Sequence, residues 1–461
     1  MDKQPANTLP HHRVRPAPAP RWTRAVACVC FEITGPETLS GQWCPGPLPV
    51  ALPDGQYADR HARRSYFQAR AADSLYGPEG ATAQLRWHRS ADALRIDEGT
   101  VVGVELLRFP RYAIRPDTQD HLASGAGGAS RYLCVIHLAL DLADPLAGLA
   151  AAVRLNPQEP VCARRCDRYG QLAGAGFRIP QTVRRGLSVS MLTFDHEPAR
   201  PPGAPQSWSA ITSCLWAAAS ATPFQHFKPD AEDPHVLDGL VYLSSTWRAL
   251  VLRDGIGFLG LVPDQRGEDN FFGWGESYAR SLYTDVLLLA ALERDALDGF
   301  ANRLAHIGNR FEKSREFRRL VNEVTEFRNI FWWETVTRHG NANMILEQLH
   351  TAHRTPNLFD RIIADLDAFR QQVEAQALDA SLQVQERQDK RERRFEHTVS
   401  VAAVTVTLPA LVFTALALPI QGLTSDGYSL PIWLIIALGL GSMLLGTIAG
   451  AAGARWISRR N

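Results

Sequence analysis

Four polar residues stand seven positions apart near the end of the chain: Ser400, Thr407, Thr414 and Gln421. Seven residues make about two turns of an α-helix, so these positions are predicted to form a polar stripe along one face. Hydroxyl and amide groups arranged in this way could line a water-filled passage at the axis of an oligomer. Membrane Ser and Thr residues also bond to their own helix or to a neighbouring one, so both interpretations stay open.

A short polar segment, residues 421–429, follows this stripe and contains one acid, Asp426. Gly422, Leu423 and Thr424 follow Gln421 at its start. The segment is predicted to be a turn between two membrane spans, and these residues are candidates for the outer mouth of a pore.

The polar segment separates two uncharged apolar runs, residues 399–420 and 430–454. Each run meets the requirement of roughly 20 residues for crossing the hydrocarbon core of a bilayer. The sequence therefore predicts a hairpin of two transmembrane helices, followed by a basic tail, within residues 398–461. Ser442, Gly446 and Gly450 repeat at intervals of four in the second run, which predicts close packing against another helix.

Basic residues lie at the two outer ends of this hairpin and are absent from the segment that connects its two runs. The connecting segment has no Lys or Arg, whereas the sequence before the first run and after the second contains the following basic residues: Arg387, Lys390, Arg391, Arg393, Arg394, Arg455, Arg459 and Arg460. The positive-inside rule then places both termini in the cytoplasm. The abundance of Ala, Arg, Gly and Pro is typical of a GC-rich bacterial genome, so the predicted location is the bacterial inner (plasma) membrane.

Residues 280–397 are predicted to be helical. From Pro356 onwards no Pro or Gly occurs until Pro409, and apolar residues recur at steps of three or four. We expect one stalk helix of about 60 residues that continues into the first span. Its charged part, residues 385–394, is called the neck and could bind anionic lipid headgroups.

Residues 23–279 contain short runs of β-type residues separated by Pro- and Gly-rich stretches, and residues 1–22 are predicted to be a disordered leader. The fold class predicted for residues 23–279 is α+β (or α/β), with an antiparallel or mixed sheet in a cytoplasmic domain. Gly255, Gly257 and Gly260 match the string GxGxxG, but a strand-like run follows them where a nucleotide-binding fold needs a helix. A glycine-rich hairpin turn is the prediction there.

Composition and motifs argue against several classes of function. The formal net charge is +1, so no basic excess indicates nucleic acid as a partner. No P-loop, zinc-protease or nucleophile-elbow motif occurs, and the protein is predicted not to be an enzyme. The seven cysteines are predicted to be free and structural. The closely spaced pairs Cys28/Cys30 and Cys162/Cys166 leave metal binding open. No cofactor is identified apart from a candidate divalent cation.

The order of these segments resembles the CorA family of divalent cation transporters. Members of that family are homopentamers in which the first spans surround a pore and a Gly-Met-Asn marker at its mouth holds hydrated magnesium. Gly422, Leu423 and Thr424 stand at the corresponding place, so the glycine matches and the amide is missing. The segment around Trp332 and Trp333 also resembles membrane components of bacterial caspase/TPR conflict systems.

Three functions are compatible with this layout. The first is a CorA-like pentameric channel, including a magnesium-type transporter, whose cytoplasmic domain controls the pore. The second is a pore-type effector of antiphage defence that responds to a protein partner or a small-molecule signal. The third is a membrane-anchored scaffold or sensor without a pore. In each case the expected partners are the lipid bilayer and, for the first two, further copies of the same chain.

Overall fold

A computed structural model describes residues 22–39, 41–79, 84–109, 129–265, 270–307 and 314–420, together with isolated residues beyond 420. The chain divides into two compact units, Met1–Leu366 and Asp367–Asn461. The first unit contains all of the described strands and most of the described helices.

The strands of the first unit are β1 (Trp22–Pro36), β2 (Cys44–Pro45), β3 (Val50–Ala51), β4 (Tyr57–Ala58), β5 (Arg86–Ile96), β6 (Gly99–Arg108), β7 (Ala129–Leu140), β8 (Leu187–Phe194), β9 (Leu240–Tyr242), β10 (Trp247–Leu252) and β11 (Gly255–Gly260). Nine of them form one sheet in the order β2-β5-β6-β7-β1-β8-β11-β10-β9. Strands β8 and β11 pair in parallel and the other described pairs are antiparallel, so the sheet is mixed.

The α-helices are α1 (Arg60–Tyr66), α2 (Ala69–Tyr76), α3 (Pro145–Ala152), α4 (Pro160–Ala173), α5 (Ala210–Ser220), α6 (Phe271–Tyr278), α7 (Thr284–Ile307), α8 (Ser314–Ile330), α9 (Gly340–His353) and α10 (Thr355–Ile420). A π-helical turn, Ala279–Tyr283, joins α6 to α7 without a loop. Asp59, Asp144 and Ser209 cap the N-termini of α1, α3 and α5, because their side chains accept hydrogen bonds from first-turn amides.

Strand β1 lies at the centre of the sheet and is buried on both faces. On one face Val29 and Ile33 join a core with Leu149 of α3, Tyr169 of α4 and Trp216 of α5. The opposite face packs into a second core, which includes Val26, Cys28, Leu75 of α2, Val286 of α7 and Leu346 of α9. Helices therefore cover both faces of a mixed sheet, and the N-terminal region is α+β, followed by helices.

The runs of β-type residues 24–33, 101–109, 131–140 and 187–194, and three more between residues 237 and 262, coincide with strands. Among the longer strands only β5 lacked such a run. The predicted hairpin turn at Gly255–Gly260 is wrong, because these residues are buried strand β11 itself. A Cβ atom at Gly257 would lie 2.5 Å from the backbone nitrogen of Ala219, so the glycine allows α5 to pack closely on the sheet.

Helix α10 runs for 66 residues without a break, where the sequence predicts a stalk helix of about 60 residues that continues into the first span. Its first residues are buried within the first unit, where Phe359 is 7% exposed and Ile362 1%. Residues 374–400 are exposed throughout. The described part of α10 therefore begins as a packed helix and continues as a solvated one.

Within the described ranges, no helix combines the length and apolar character needed to cross a membrane. For the predicted spans, residues 399–420 and 430–454, the structure describes the backbone of the first and only a few side chains of either. Of the predicted leader, residues 1–22, the structure describes Trp22, which is the first residue of β1 rather than part of a disordered segment.

Candidate functional site

The structure places three residues of the predicted polar stripe, Ser400, Thr407 and Thr414, on one continuous helix, α10. Positions seven apart on an α-helix drift by only about 20° per repeat, so these positions share a face. The Thr407 hydroxyl donates a hydrogen bond to the carbonyl of Ala403 at 2.6 Å. This bond corresponds to the second interpretation of the stripe, in which a Thr hydroxyl bonds to the backbone of its own helix.

The remaining predicted site residues lie outside the described residues. They are the end of the stripe, the outer-mouth candidates and the packing positions of the second run: Gln421, Gly422, Leu423, Thr424, Asp426, Ser442, Gly446 and Gly450. Their roles stay predictions.

A second candidate site, which the sequence analysis did not find, is a buried charge network on one face of the sheet. Neighbouring strands contribute Arg86 of β5, Glu105 of β6, His137 of β7 and Cys28 of β1. Arg86 Nε donates to Glu105 Oε2 at 2.5 Å, and His137 Nε2 lies 2.8 Å from Glu105 Oε1. His137 Nδ1 lies 3.2 Å from Cys28 Sγ. The four side chains therefore form a continuous polar strip across four strands.

Three helical residues complete the buried charge network. Asp285 of α7 accepts the Tyr76 hydroxyl hydrogen bond at 2.5 Å and pairs with Arg86 at 2.7 Å. Arg63 of α1 lies 3.4 Å from Asp285 and donates to the carbonyl of Leu48 at 2.6 Å. The network thus fastens α1, α2 and α7 to the sheet.

The charges in the network balance, since two guanidinium groups face two carboxylates. Burial alone would raise the pKa of Glu105, but the charges of Arg86 and Arg63 and the hydrogen bond with His137 hold it well below its usual range. Burial likewise opposes the ionised forms of Cys28 and His137, yet each stabilises the other's charge, so the pKa of Cys28 is lowered and that of His137 is raised.

Cys28, His137 and Glu105 have the order of a nucleophile, a base and an acid that orients the base. These three side chains are at most 1% exposed. The thiol is therefore shielded from solvent together with the groups that it contacts.

A third cluster surrounds the first turns of α10. The Trp332 ring stacks on His350 of α9 at 5.6 Å and on Phe359 of α10 at 4.7 Å. His350 Nε2 lies 2.6 Å from a carboxylate oxygen of Glu293, and the Trp333 amide donates to the other oxygen at 3.3 Å. Burial raises the pKa of Glu293, although His350 opposes the shift. The Trp332 ring thus packs between α9 and the first turns of α10.

The cysteines are free where the structure describes them: Cys44 is exposed and the other six are buried. Among the described residues, no group of three or more His, Cys, Asp and Glu side chains could hold a metal ion. Of the thiols, burial raises the pKa of Cys214 to about 12, which keeps it protonated at neutral pH.

The sequence did contain a signal for the buried charge network. Glu105 stands within the apolar run "VVGVELLRF" and His137 within "RYLCVIHLAL". A charged or titratable residue inside a buried strand needs a partner, because burying it alone costs several kcal/mol. The identity of that partner was not accessible from the sequence.

Comparison of the chain with protein-family models, curated proteins and solved structures found no match in any of the three.

Proposed function

We propose that the protein is a membrane-attached, homo-oligomeric pore-type effector or channel, in which the N-terminal α+β region controls a C-terminal hairpin of two membrane helices. The observation that carries this proposal is the continuity of α10 from Thr355 to Ile420. One element thus contains the packed residues of the first unit and the uncharged run of the first predicted span.

The packing at the base of α10 supports a controlling role for the N-terminal region. Phe359 and Ile362 are buried, the Phe359 ring lies 6.1 Å from that of Phe327 in α8, and Trp332 stacks on both His350 of α9 and Phe359 of α10. Because α10 has no break, a displacement of α9 or Trp332 would be passed directly to the helix. No enzymatic step is part of this function.

The membrane part of the proposal is supported by the sequence. Two uncharged runs with basic residues only on their outer flanks are typical of a helical hairpin with both ends in the cytoplasm. The resemblance to CorA proteins favours a pentamer at the bacterial plasma membrane. The likeness to conflict-system components favours a role in antiphage defence, triggered by a protein partner or a small-molecule signal.

A second candidate function is a membrane-anchored scaffold without a pore. It is favoured by Thr407, whose hydroxyl already bonds to the carbonyl of Ala403 in its own helix. Release of ions from liposomes distinguishes the two functions, because an anchor without a pore leaves the ion gradient intact.

The membrane assignment is tested with the full-length protein carrying Leu408→Arg and Leu411→Arg. An arginine at the centre of a membrane helix costs about 3 kcal/mol, so two should weaken insertion by about 6 kcal/mol. We expect the wild type to stay in the membrane fraction after an alkaline carbonate wash and the double variant to be released.

The matched control is the pair Leu378→Arg and Leu382→Arg on the same helix, where the residues are 60% and 50% exposed. This control should stay in the membrane fraction like the wild type. Release of the wild-type protein by carbonate would overturn the proposed function.

A further inference from the structure

A cleft of about 500 Å³ lies beside the helices α3, α4 and α5 of the first unit. It is assembled from the loop between α3 and α4, the segment before β8 and the segment after α5. Its charged and titratable lining residues are Arg154, Glu159, Arg184, Arg185 and His226. The volume falls within the range of roughly 300–1,000 Å³ that is usual for small-molecule sites.

The three arginines are held in place by partners that leave donors free. Arg184 Nη1 donates to Asn156 Oδ1 at 2.7 Å. Arg185 Nη2 donates to the carbonyls of Ser220 and Ala221 at the end of α5. A guanidinium group has five N–H donors, so each arginine keeps donors beyond these bonds.

The cleft has an excess of positive charge. Its single lining carboxylate, Glu159, pairs with Arg154 at 3.0 Å, and this pair is exposed and readily exchanged. Burial lowers the pKa of Arg185; Asp254, at 3.6 Å, opposes this shift and the charge of Arg154 adds to it. An anion in the cleft would relieve the repulsion between the guanidinium groups.

A second cavity, of about 380 Å³, shares the residues Thr222 and Pro223 with the basic cleft. Apolar side chains contribute to its lining, among them Trp22, Leu146 and Phe224. A basic compartment and a partly apolar one therefore meet at Thr222 and Pro223. This arrangement fits a ligand with an anionic end and an apolar end.

We propose that this double cleft binds a small organic phosphate, with the phosphate on Arg154, Arg184 and Arg185 and an apolar ring or chain beside Phe224. Planar guanidinium groups suit phosphate oxygens because they donate two parallel hydrogen bonds. The site itself does not depend on the membrane assignment. A role for its ligand as the activating signal rests on the proposed function.

The test uses full-length protein in detergent, with phenyl phosphate and inorganic phosphate as probes in isothermal titration calorimetry. Phenyl phosphate should bind the wild type at least about tenfold more tightly than inorganic phosphate, since only phenyl phosphate reaches the apolar compartment. The double variant Arg154→Gln, Arg184→Gln should bind phenyl phosphate at least about tenfold more weakly.

The matched control is Arg95→Gln, because Arg95 and Asp141 form an exposed ion pair at 3.0 Å like that of Arg154 and Glu159. This variant should bind both probes like the wild type. Equal weakening in the control, equal affinity for the two probes, or no binding to the wild type would each overturn the inference.

This experiment is independent of the membrane. A wild-type chain that binds phenyl phosphate but is released by carbonate would keep the ligand site and refute the proposed function. A wild-type chain that stays in the membrane fraction after the carbonate wash but binds neither probe would keep the proposed function and refute the ligand site.

Discussion

The buried charge network and the neck contain the same kinds of charged residue in opposite surroundings. In the network, Arg86 and Glu105 form an ion pair with both side chains 0% exposed. In the neck, Lys390 and Glu386 lie 3.9 Å apart with both side chains 74% exposed. Water screens the second pair almost completely, whereas the first is shielded from solvent.

This difference shows where charge contributes to structure and where it stays available for binding. Each carboxylate of the network has several partners from different elements, so removing one leaves a buried charge without compensation. In the part of the chain that the structure describes, the neck side chains are exposed, and the ion pair between Lys390 and Glu386 lies within one helix. Their charges are free to interact with other molecules, and the following predictions test this division.

The largest effect is expected for Glu105→Gln. The substitution leaves Arg63 and Arg86 facing only one carboxylate, and breaking a buried pair in this way costs about 3–5 kcal/mol of unfolding free energy. Chemical denaturation followed by circular dichroism measures the loss. The double variant Arg86→Met, Glu105→Leu should lose much less, because both buried charges are removed together. A Glu105→Gln protein as stable as the wild type would show that the charges of the network do not depend on one another.

An intermediate effect is expected from acid. The pKa of Glu105 is depressed in the folded state, so its contribution to stability is present above its unfolded pKa of roughly 4.3 and is lost as the pH falls below that value. Between pH 5 and pH 3 the wild type should lose about 2 kcal/mol more than Arg86→Met, Glu105→Leu. Denaturation curves at each pH measure this difference. A neck variant, Glu386→Gln, should follow the wild type, and parallel curves for all three proteins would refute the prediction.

The smallest effect on stability is expected in the neck. Arg391→Gln with Arg394→Gln should change the unfolding free energy by less than about 0.5 kcal/mol. The same variant should bind phosphatidylserine about tenfold more weakly or worse in detergent titrations, since each basic residue near an anionic surface contributes about 1 kcal/mol. Arg370→Gln, an exposed control on the same helix, should leave lipid binding unchanged. A neck variant with normal lipid binding would argue against contact with a membrane surface.

The alternation of apolar residues was enough to find most of the sheet from the sequence. The runs that became β1, β6, β7 and β8 are rich in apolar residues, and their burial follows from that composition. Strand β5 was missed because its sequence, "RWHRSADALRI", is largely polar and lies towards the edge of the sheet. Charge in a strand obscures the pattern on which such predictions depend.

The candidate sites were harder to predict because they are assembled from distant parts of the chain. Arg86 and Asp285 meet only through the tertiary fold, and Arg154 and Arg185 come from separate segments around one cleft. Sequence spacing shows which residues share a helix face, as it did for Ser400 and Thr407. It does not show which loops close on one another.

The central position of β1 also constrains how the chain can fold while it is being made. Val26 pairs with Ala139 on one side and with Met191 on the other, so this early strand has no partner until much later segments exist. At a synthesis rate of roughly 5–20 residues per second, the wait for β7, the first partner to be made, lasts on the order of 10 s. During that interval an apolar segment with two cysteines remains unpaired on the ribosome, which makes β1 the first place to look for chaperone binding on the nascent chain.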